Sequence, residues 1–336
     1  MPFGVAKGIA LALCWLLSCL GEAVATPYAV SVSRTNGNIV LSWPTEYLGR
    51  RLQQTFDLTP PRTWTDIPAS VTTNRLSLSG TGTSRFFRLY TSLIPTNGLV
   101  ARFDFNGNAN DPVGGHNGLI HFAAPTSNRF GNSNSAYALN GTNAWIEIPD
   151  HDDLSIATTG EFSISIWINP YELTFPKSEG QCVYGDPHTN YVYWMGKGTD
   201  TGATGNQDEW ACRMYDFYNC ENRTNRISFY VFNPAGGQGA GSFVQDPVTP
   251  FVWIHFVATV DVAANQIKWY KNGVLRDTDA LIDSNYNIVP QNGTAPVQLG
   301  TMNFNSYFAG AIDNLLFYNR VLSALEVTQL YQDQTP

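Results

Sequence analysis

The sequence predicts an all-β protein: a small N-terminal β-sandwich followed by a larger antiparallel sandwich with one short C-terminal helix. Three observations carry this expectation. Charged residues make up only 14% of the 336-residue chain, against about 25% in an average domain, and Asn, Thr, Ser, Gly and aromatics fill the difference. Apolar residues recur with a period of two, as in Phe162–Ile168, where every even position is apolar. Asn-Gly pairs at Asn140-Gly141 and Asn272-Gly273 lie between such runs, the strongest local hairpin signal. An apolar content of 43% excludes a disordered chain. A net charge of −8 without any run of Lys or Arg excludes nucleic acid as the expected partner.

The N-terminus reads as a secretory signal over residues 1–25. Lys7 precedes an apolar run from Gly8 to Leu20, and Ala23-Val24-Ala25 offers a small-x-small cleavage site before Thr26. The run is too short to span a bilayer, and no later stretch reaches that length. Leu16-Leu17-Ser18-Cys19 supports an alternative, a lipoprotein acylated at Cys19, in which Leu17 fits poorly. Removal of the signal takes Cys14 and Cys19 with it. Cys182, Cys212 and Cys220 remain, so at most one disulfide forms within the chain, and spacing leaves its pairing open.

The small module occupies 26–94. Ile39–Leu41, Leu52–Thr55, Leu76–Leu78 and Phe86–Tyr90 are strand-like runs separated by Asn-Gly, Thr-Pro-Pro and Gly-Thr-Gly turns. Its basic residues are all Arg and outnumber its acids, whereas the rest of the chain is strongly acidic. The break falls in Ser92–Gly98. The strings LSWP (41–44), LQQTFDL (52–58), TW (63–64) and RFFRL (85–89) resemble a fibronectin-III-like module of exported bacterial proteins. Trp43 and Trp64 read as core residues against the alternative of ligand platforms.

The larger module spans 98–333. Asn225–Val231 repeats the alternation of Phe162–Ile168. Near the C-terminus, Ser323 with Glu326 makes a capping box, and Leu322 with Val327 a hydrophobic staple, for a helix from about Ala324 to Tyr331. Read in order, GLVARFDFNGNAND (98–111), YALNGTNAWIEIPD (137–150), FSISIWINP (162–170), MGKG (195–198), WIHFVATVD (253–261), IKWYKNGVL (267–275) and GAIDNLLFYNRVLSALEVTQLY (310–331) resemble the laminin-G-like family of concanavalin A-like lectin/glucanase jelly-roll domains. The resemblance implies a two-sheet sandwich that binds rather than catalyses.

It also implies a calcium ion, which needs six to eight oxygens from separate loops. Asp104, from the first strand motif, and Asp313, from the last, are the positions carried over, with Asn140 and Gly141 able to add an oxygen. The competing reading has both aspartates fixing loop backbones by accepting N–H bonds. Asp104–Gly115 resembles an EF-hand loop but has Ala109 and Gly115 where that loop needs Gly and Glu. Asp150, Asp152 and Asp153 read as a solvated loop capping the turn at Leu154.

Catalytic constellations are missing. Glu147-Ile148-Pro149-Asp150 lacks the carboxylate spacing of a retaining glycosidase strand, and no Gly-x-Ser-x-Gly elbow occurs. His116, His121, His151, His188 and His255 share no zinc-type spacing, and His255 reads as a hydrogen-bonded structural residue. The insertion Tyr171–Arg226 is rich in aromatics. Tyr193, Trp194, Trp210, Tyr215 and Tyr218, with Tyr191, are candidates for a sugar-stacking surface, against the alternative that the tryptophans plug the core. The expected function is an exported, non-catalytic protein of the bacterial exterior or cell envelope that recognises carbohydrate or an envelope surface. A structural or adhesive protein mediating protein contacts is the alternative, and a glycan-active enzyme a third class.

Overall fold

The computed structural model describes residues 30–45, 51–59, 64–67, 70, 73–79, 84–90, 94–175, 179–181, 189–198, 207–233 and 239–335. The expected signal segment 1–25 and Cys182 lie outside these residues. The chain divides into two units, Met1–Tyr90 and Thr91–Pro336.

In the first unit the described strands are β1 (Ser31–Thr35), β2 (Asn38–Ser42), β3 (Arg51–Thr55), β4 (Thr65–Ile67), β5 (Arg75–Ser79) and β6 (Phe86–Tyr90). They form two three-stranded sheets, ordered β1-β2-β5 and β4-β3-β6, with every pair antiparallel. Leu41 and Trp43 from one side meet Leu52 and Leu89 from the other in a single apolar cluster. Trp43 is core as expected, whereas Trp64 is only half-buried, outside that cluster, and lies under the Arg88 guanidinium at 4.4 Å.

The second unit contributes β7 (Leu99–Phe103), β8 (Leu119–His121), β9 (Ala124–Thr126), β10 (Ala136–Asn140), β11 (Trp145–Ile148), β12 (Glu161–Pro170), β13 (Glu179–Gln181), β14 (Thr189–Lys197), β15 (Trp210–Tyr215), β16 (Ile227–Phe232), β17 (Gly239–Phe243), β18 (Ile254–Asp261), β19 (Gln266–Lys271), β20 (Val274–Asp279), β21 (Val297–Leu299), β22 (Ala309–Tyr318) and the helix α1 (Ala324–Gln334). One eight-stranded sheet runs β20-β19-β18-β12-β22-β10-β9, with β7 also on β22. The other runs β17-β16-β15-β14-β21-β11-β8, with β13 also on β14. Their facing side chains make one continuous core that includes Ile164, Ile166, Trp194, Trp210, Phe229, Phe256 and Phe317.

β12 shows why the alternation was readable and what it hid. Phe162, Ile164, Ile166 and Ile168 enter that core. The intervening Ser163, Ser165 and Trp167 are buried too, because the chain returns over the back of the sheet. Ser163 Oγ accepts the Leu322 N–H at 3.0 Å, and Trp167 Nε1 donates to Gln334 Oε1 at 2.7 Å. The capping box forms as expected, with the Glu326 N–H on Ser323 Oγ and the Ser323 N–H on Glu326 Oε2. Leu322, Val327 and Leu330 press onto Val257 and Leu316, and α1 continues past Tyr331 to Gln334.

The two Asn-Gly turns part ways. Asn272-Gly273 joins β19 to β20 as a hairpin, with both residues at positive φ. Asn140-Gly141 does not: β10 belongs to one sheet and β11 to the other. Asn140 Oδ1 accepts the N–H groups of Thr142, Asn143 and Ala144, each at 3.0 Å, and this side-chain-closed turn carries the chain across the sandwich.

Candidate binding face

Of the aromatic residues expected to stack on sugar, Trp194 and Trp210 are fully buried and correct that expectation. Trp194 packs edge-on against Phe256 of the opposite sheet at 5.2 Å, and Trp210 lies among Phe162, Phe229 and Phe317. Both indole N–H groups are spent on backbone carbonyls, those of Arg213 and Leu154. Apolar burial of so large a ring outweighs anything its exposed face would gain.

Tyr193 and Tyr215 point to the back of this sheet but are likewise buried, in a layer organised by arginine. The Arg213 guanidinium lies within 4.3 to 5.6 Å of the ring centres of Tyr191, Tyr193, Tyr230 and Phe232. It donates to Tyr193 Oη at 3.0 Å. Arg223 Nη1 donates to Tyr215 Oη and Tyr230 Oη at 2.9 and 3.0 Å. Burial pushes the Tyr193 and Tyr230 hydroxyls well above the ordinary tyrosine range, so they remain neutral. Tyr218 is the most exposed of the five, at 50%, and lies edge-on to Phe217.

The calcium set is partly assembled and then filled by another cation. β7 pairs with the C-terminal half of β22, Phe103 opposite Leu315, so Asp104 and Asp313 do come close. Asp313, however, is bound by Arg129, which also donates to Asn314 Oδ1 at 2.7 Å and stacks on Trp167 at 4.5 Å. Burial pushes the Asp313 carboxyl up to about 7, against the pull of that guanidinium. Asp104 pairs with Arg102 at 2.7 Å. Asn140 Oδ1 is used by its turn, and Gly141 sits at φ +72° against Ala309. As placed, these residues do not fit calcium, which requires six or more free oxygens.

A different aromatic group stands open. On β11, Ile146 and Ile148 face the core, which sends Trp145 to the outer surface. His121, opposite it on β8, stacks on the indole at 4.3 Å with 12° between the planes. Phe304 meets the indole edge-on at 5.2 Å, and Phe122 lies at 6.3 Å. Phe122 is 72% and Phe304 46% exposed. Both have left-handed backbone, φ +57° and +64°, a conformation that costs a bulky residue about 1–3 kcal/mol. The period-two pattern of Trp145-Ile146-Glu147-Ile148 contained the signal for Trp145. Phe304 comes from a loop, and Phe122 from a single β-bridge to Trp145 just past the end of β8, where no periodicity speaks.

His255 is the hydrogen-bonded structural residue expected. Its Nε2 lies 2.9 Å from Ser165 Oγ, and burial, with Arg129 nearby, lowers its pKa to about 3. Cys212 is a free, buried thiol, so it takes no part in a disulfide.

These features define a concanavalin A-like sandwich with an aromatic surface. The family model described as the concanavalin A-like lectin/glucanases superfamily matches residues 140–328. The chain belongs to that superfamily. Domain 4 of AbnA, a GH43 extracellular arabinanase from Geobacillus stearothermophilus, solved in complex with arabinotriose, superposes with a TM-score of 0.50 at 20% identity, covering 70% of this chain and 98% of that one. The binding domain of Paraclostridial Mosquitocidal Protein 1 gives a TM-score of 0.50 at 16% identity, over 70% of this chain and 52% of that one. No curated protein sequence shows a significant match. Among the described residues no helix is long and apolar enough to cross a membrane.

Proposed function

We propose that the larger unit is a non-catalytic carbohydrate-binding module whose platform is Trp145 with His121, Phe122 and Phe304. The observation that carries the reading is the pair of exposed phenylalanines held in left-handed backbone beside an outward indole. Strain of that size, in rings that fill no core, is retained for what the rings present. Flat aromatic faces suit the apolar faces of sugar rings. Superfamily membership and a fold neighbour solved with arabinotriose support oligosaccharide as the ligand class. The acidic balance of this unit favours a neutral glycan over an acidic one.

The same reading makes residues 1–25 an export signal and the first unit a fibronectin-III-like companion. In an oxidising compartment the pair left by the buried Cys212 thiol is Cys182 with Cys220.

The test is calorimetry and tryptophan fluorescence across a panel of neutral oligosaccharides that includes arabinotriose. One class binds, and Trp145→Ala weakens it by about 30-fold or more, as loss of a central aromatic anchor does. Flat traces with the native protein, or unchanged affinity in Trp145→Ala, overturn the reading. Exposed Leu119 and Ile120 on β8 favour a second reading, a structural or adhesive protein that docks another protein on that face. A glycan-silent protein that associates through β8 would establish it.

A further inference from the structure

We propose that the loop after β7 and the loop after β11 together form a zinc-class metal site, with His116, His151 and Asp153 as its ligands. The three donor atoms lie within 4.8 Å of one another. His116 is the centre of the cluster. Its side chain is only 5% exposed, and its Nε2 is buried with no hydrogen-bond partner. That nitrogen lies 3.6 Å from Asp153 Oδ2, which in turn lies 3.3 Å from His151 Nδ1. A tetrahedral ion with bonds of about 2.0–2.2 Å sets its ligand atoms roughly 3.3–3.6 Å apart. The His116 and His151 rings meet edge to face at 4.4 Å.

The support behind His116 is of the kind metal sites use. Its Nδ1 lies 2.8 Å from Asp111 Oδ2. Asp111 also accepts the N–H groups of Arg102 and Val113 at 2.9 Å and of Gly114 and His116 at 3.1 Å. A carboxylate that accepts four backbone N–H groups faces Nδ1 as an acceptor, so Nδ1 donates to it and the Nε2 lone pair is left aimed at His151 and Asp153, the carboxylate–histidine–metal arrangement. The loop is shaped to this ring: a Cβ at Gly114 would fall 2.0 Å from His116 Cε1.

The second loop is equally fixed. Asp150 Oδ1 accepts from Lys197 Nζ at 2.5 Å and Asp152 Oδ1 from Asn292 Nδ2 at 2.7 Å, so the run expected to be merely solvated is anchored on both sides of His151. His151 Nδ1 accepts the Asp153 N–H at 3.2 Å, a long bond it exchanges for the ion. Two imidazoles and one carboxylate select zinc or its neighbours over calcium and magnesium. His151 and Asp153 face solvent, so a fourth position is left for water or a ligand group. The histidines are distant in sequence, which is why spacing alone gave no zinc pattern.

The full chain, stripped with a chelator, is titrated with zinc chloride near neutral pH by calorimetry, with a thermal melt alongside and cobalt substitution to record the visible spectrum. One zinc per chain, a melting temperature that rises with zinc and the intense bands of tetrahedral cobalt are expected, undisturbed by millimolar magnesium. His151→Ala and Asp153→Asn, both at the surface, fold normally and lose affinity by about 100-fold or more. A stripped chain that takes up no zinc at tens of micromolar overturns the proposal. So do variants that bind as the native chain does. Neither readout involves a glycan, so this proposal and the carbohydrate reading stand or fall separately.

Discussion

The two sheets of the larger sandwich share one core and differ in what covers their backs. Behind β12, β18 and β22 lie Trp167, His255, Arg129 and Asp313, sealed by α1: Tyr331 stacks on Trp167 at 5.9 Å, and Gln334 takes its indole N–H. Behind β11 and β8 lie Trp145, His121, Phe122 and Phe304, with Phe122 and Phe304 open to solvent. Both groups combine an indole, an imidazole and a second aromatic ring. Covered by a helix, such a group stabilises the fold. Left open and strained, it costs stability, which is the ground for the proposed binding platform.

The difference is broken most directly at the two indoles. Trp167→Ala removes a buried ring, orphans the Gln334 amide and uncovers Arg129, and costs about 3–5 kcal/mol in a urea melt. Trp145→Ala removes a partly exposed ring and costs about 1 kcal/mol or less. If the two losses prove equal, the open face is as structural as the sealed one.

Arg129 is next. It holds Asp313 and Asn314 and lies against Trp167. Arg129→Met keeps the stem and removes the charge, leaving a buried carboxylate unpaired at a cost of about 3 kcal/mol. Addition of Ca²⁺ to this variant asks whether the aspartates accept a metal once the guanidinium is gone. A melt restored by calcium would show that Arg129 occupies a cation position. An unresponsive melt would leave it a plain ion pair.

Acid sharpens the contrast further. His255, lowered to about 3 by burial, is neutral in the folded protein, whereas the unfolded histidine takes a proton near 6.5. Its contribution is therefore present above about pH 6.5 and lost as pH falls towards 3. Asp313, raised to about 7, works the opposite way and stabilises as pH falls from 7 towards 3.8. The melting temperature of His255→Gln minus that of the native chain isolates the histidine, and this difference should become more favourable to the variant below pH 6.5. A difference flat with pH would mean that His255 is protonated in place.

The fold was largely legible because its signals are local. β12 and β16 follow period-two patterns, Asn272-Gly273 is a hairpin, and Ser323 with Glu326 caps α1. The site was not, for reasons the same residues show. Composition marks an aromatic-rich insertion but cannot tell Trp210, fully buried, from Tyr218, half exposed, since both lie in short runs whose facing is set by distant strands. Asn140-Gly141 carries the hairpin dipeptide, yet three backbone N–H groups converge on Asn140 Oδ1 and turn the chain to the other sheet. Arg129, the cation beside Asp313, arrives from a loop that no motif marked.

The smallest expected effect separates stability from function most cleanly. Phe122, 72% exposed at φ +57°, contributes little burial and carries the penalty of left-handed backbone. Phe122→Gly relieves that penalty, offset by the greater freedom glycine gives the unfolded chain. The net change is stabilising by roughly 0.5–1 kcal/mol, seen as a melting temperature a degree or two higher. Glycan affinity falls in the same variant, because the ring that bounds the Trp145 platform is gone. A ring kept for folding would give the reverse, lower stability with binding untouched. A substitution that stabilises the chain while weakening its ligand is the signature of a residue retained for recognition.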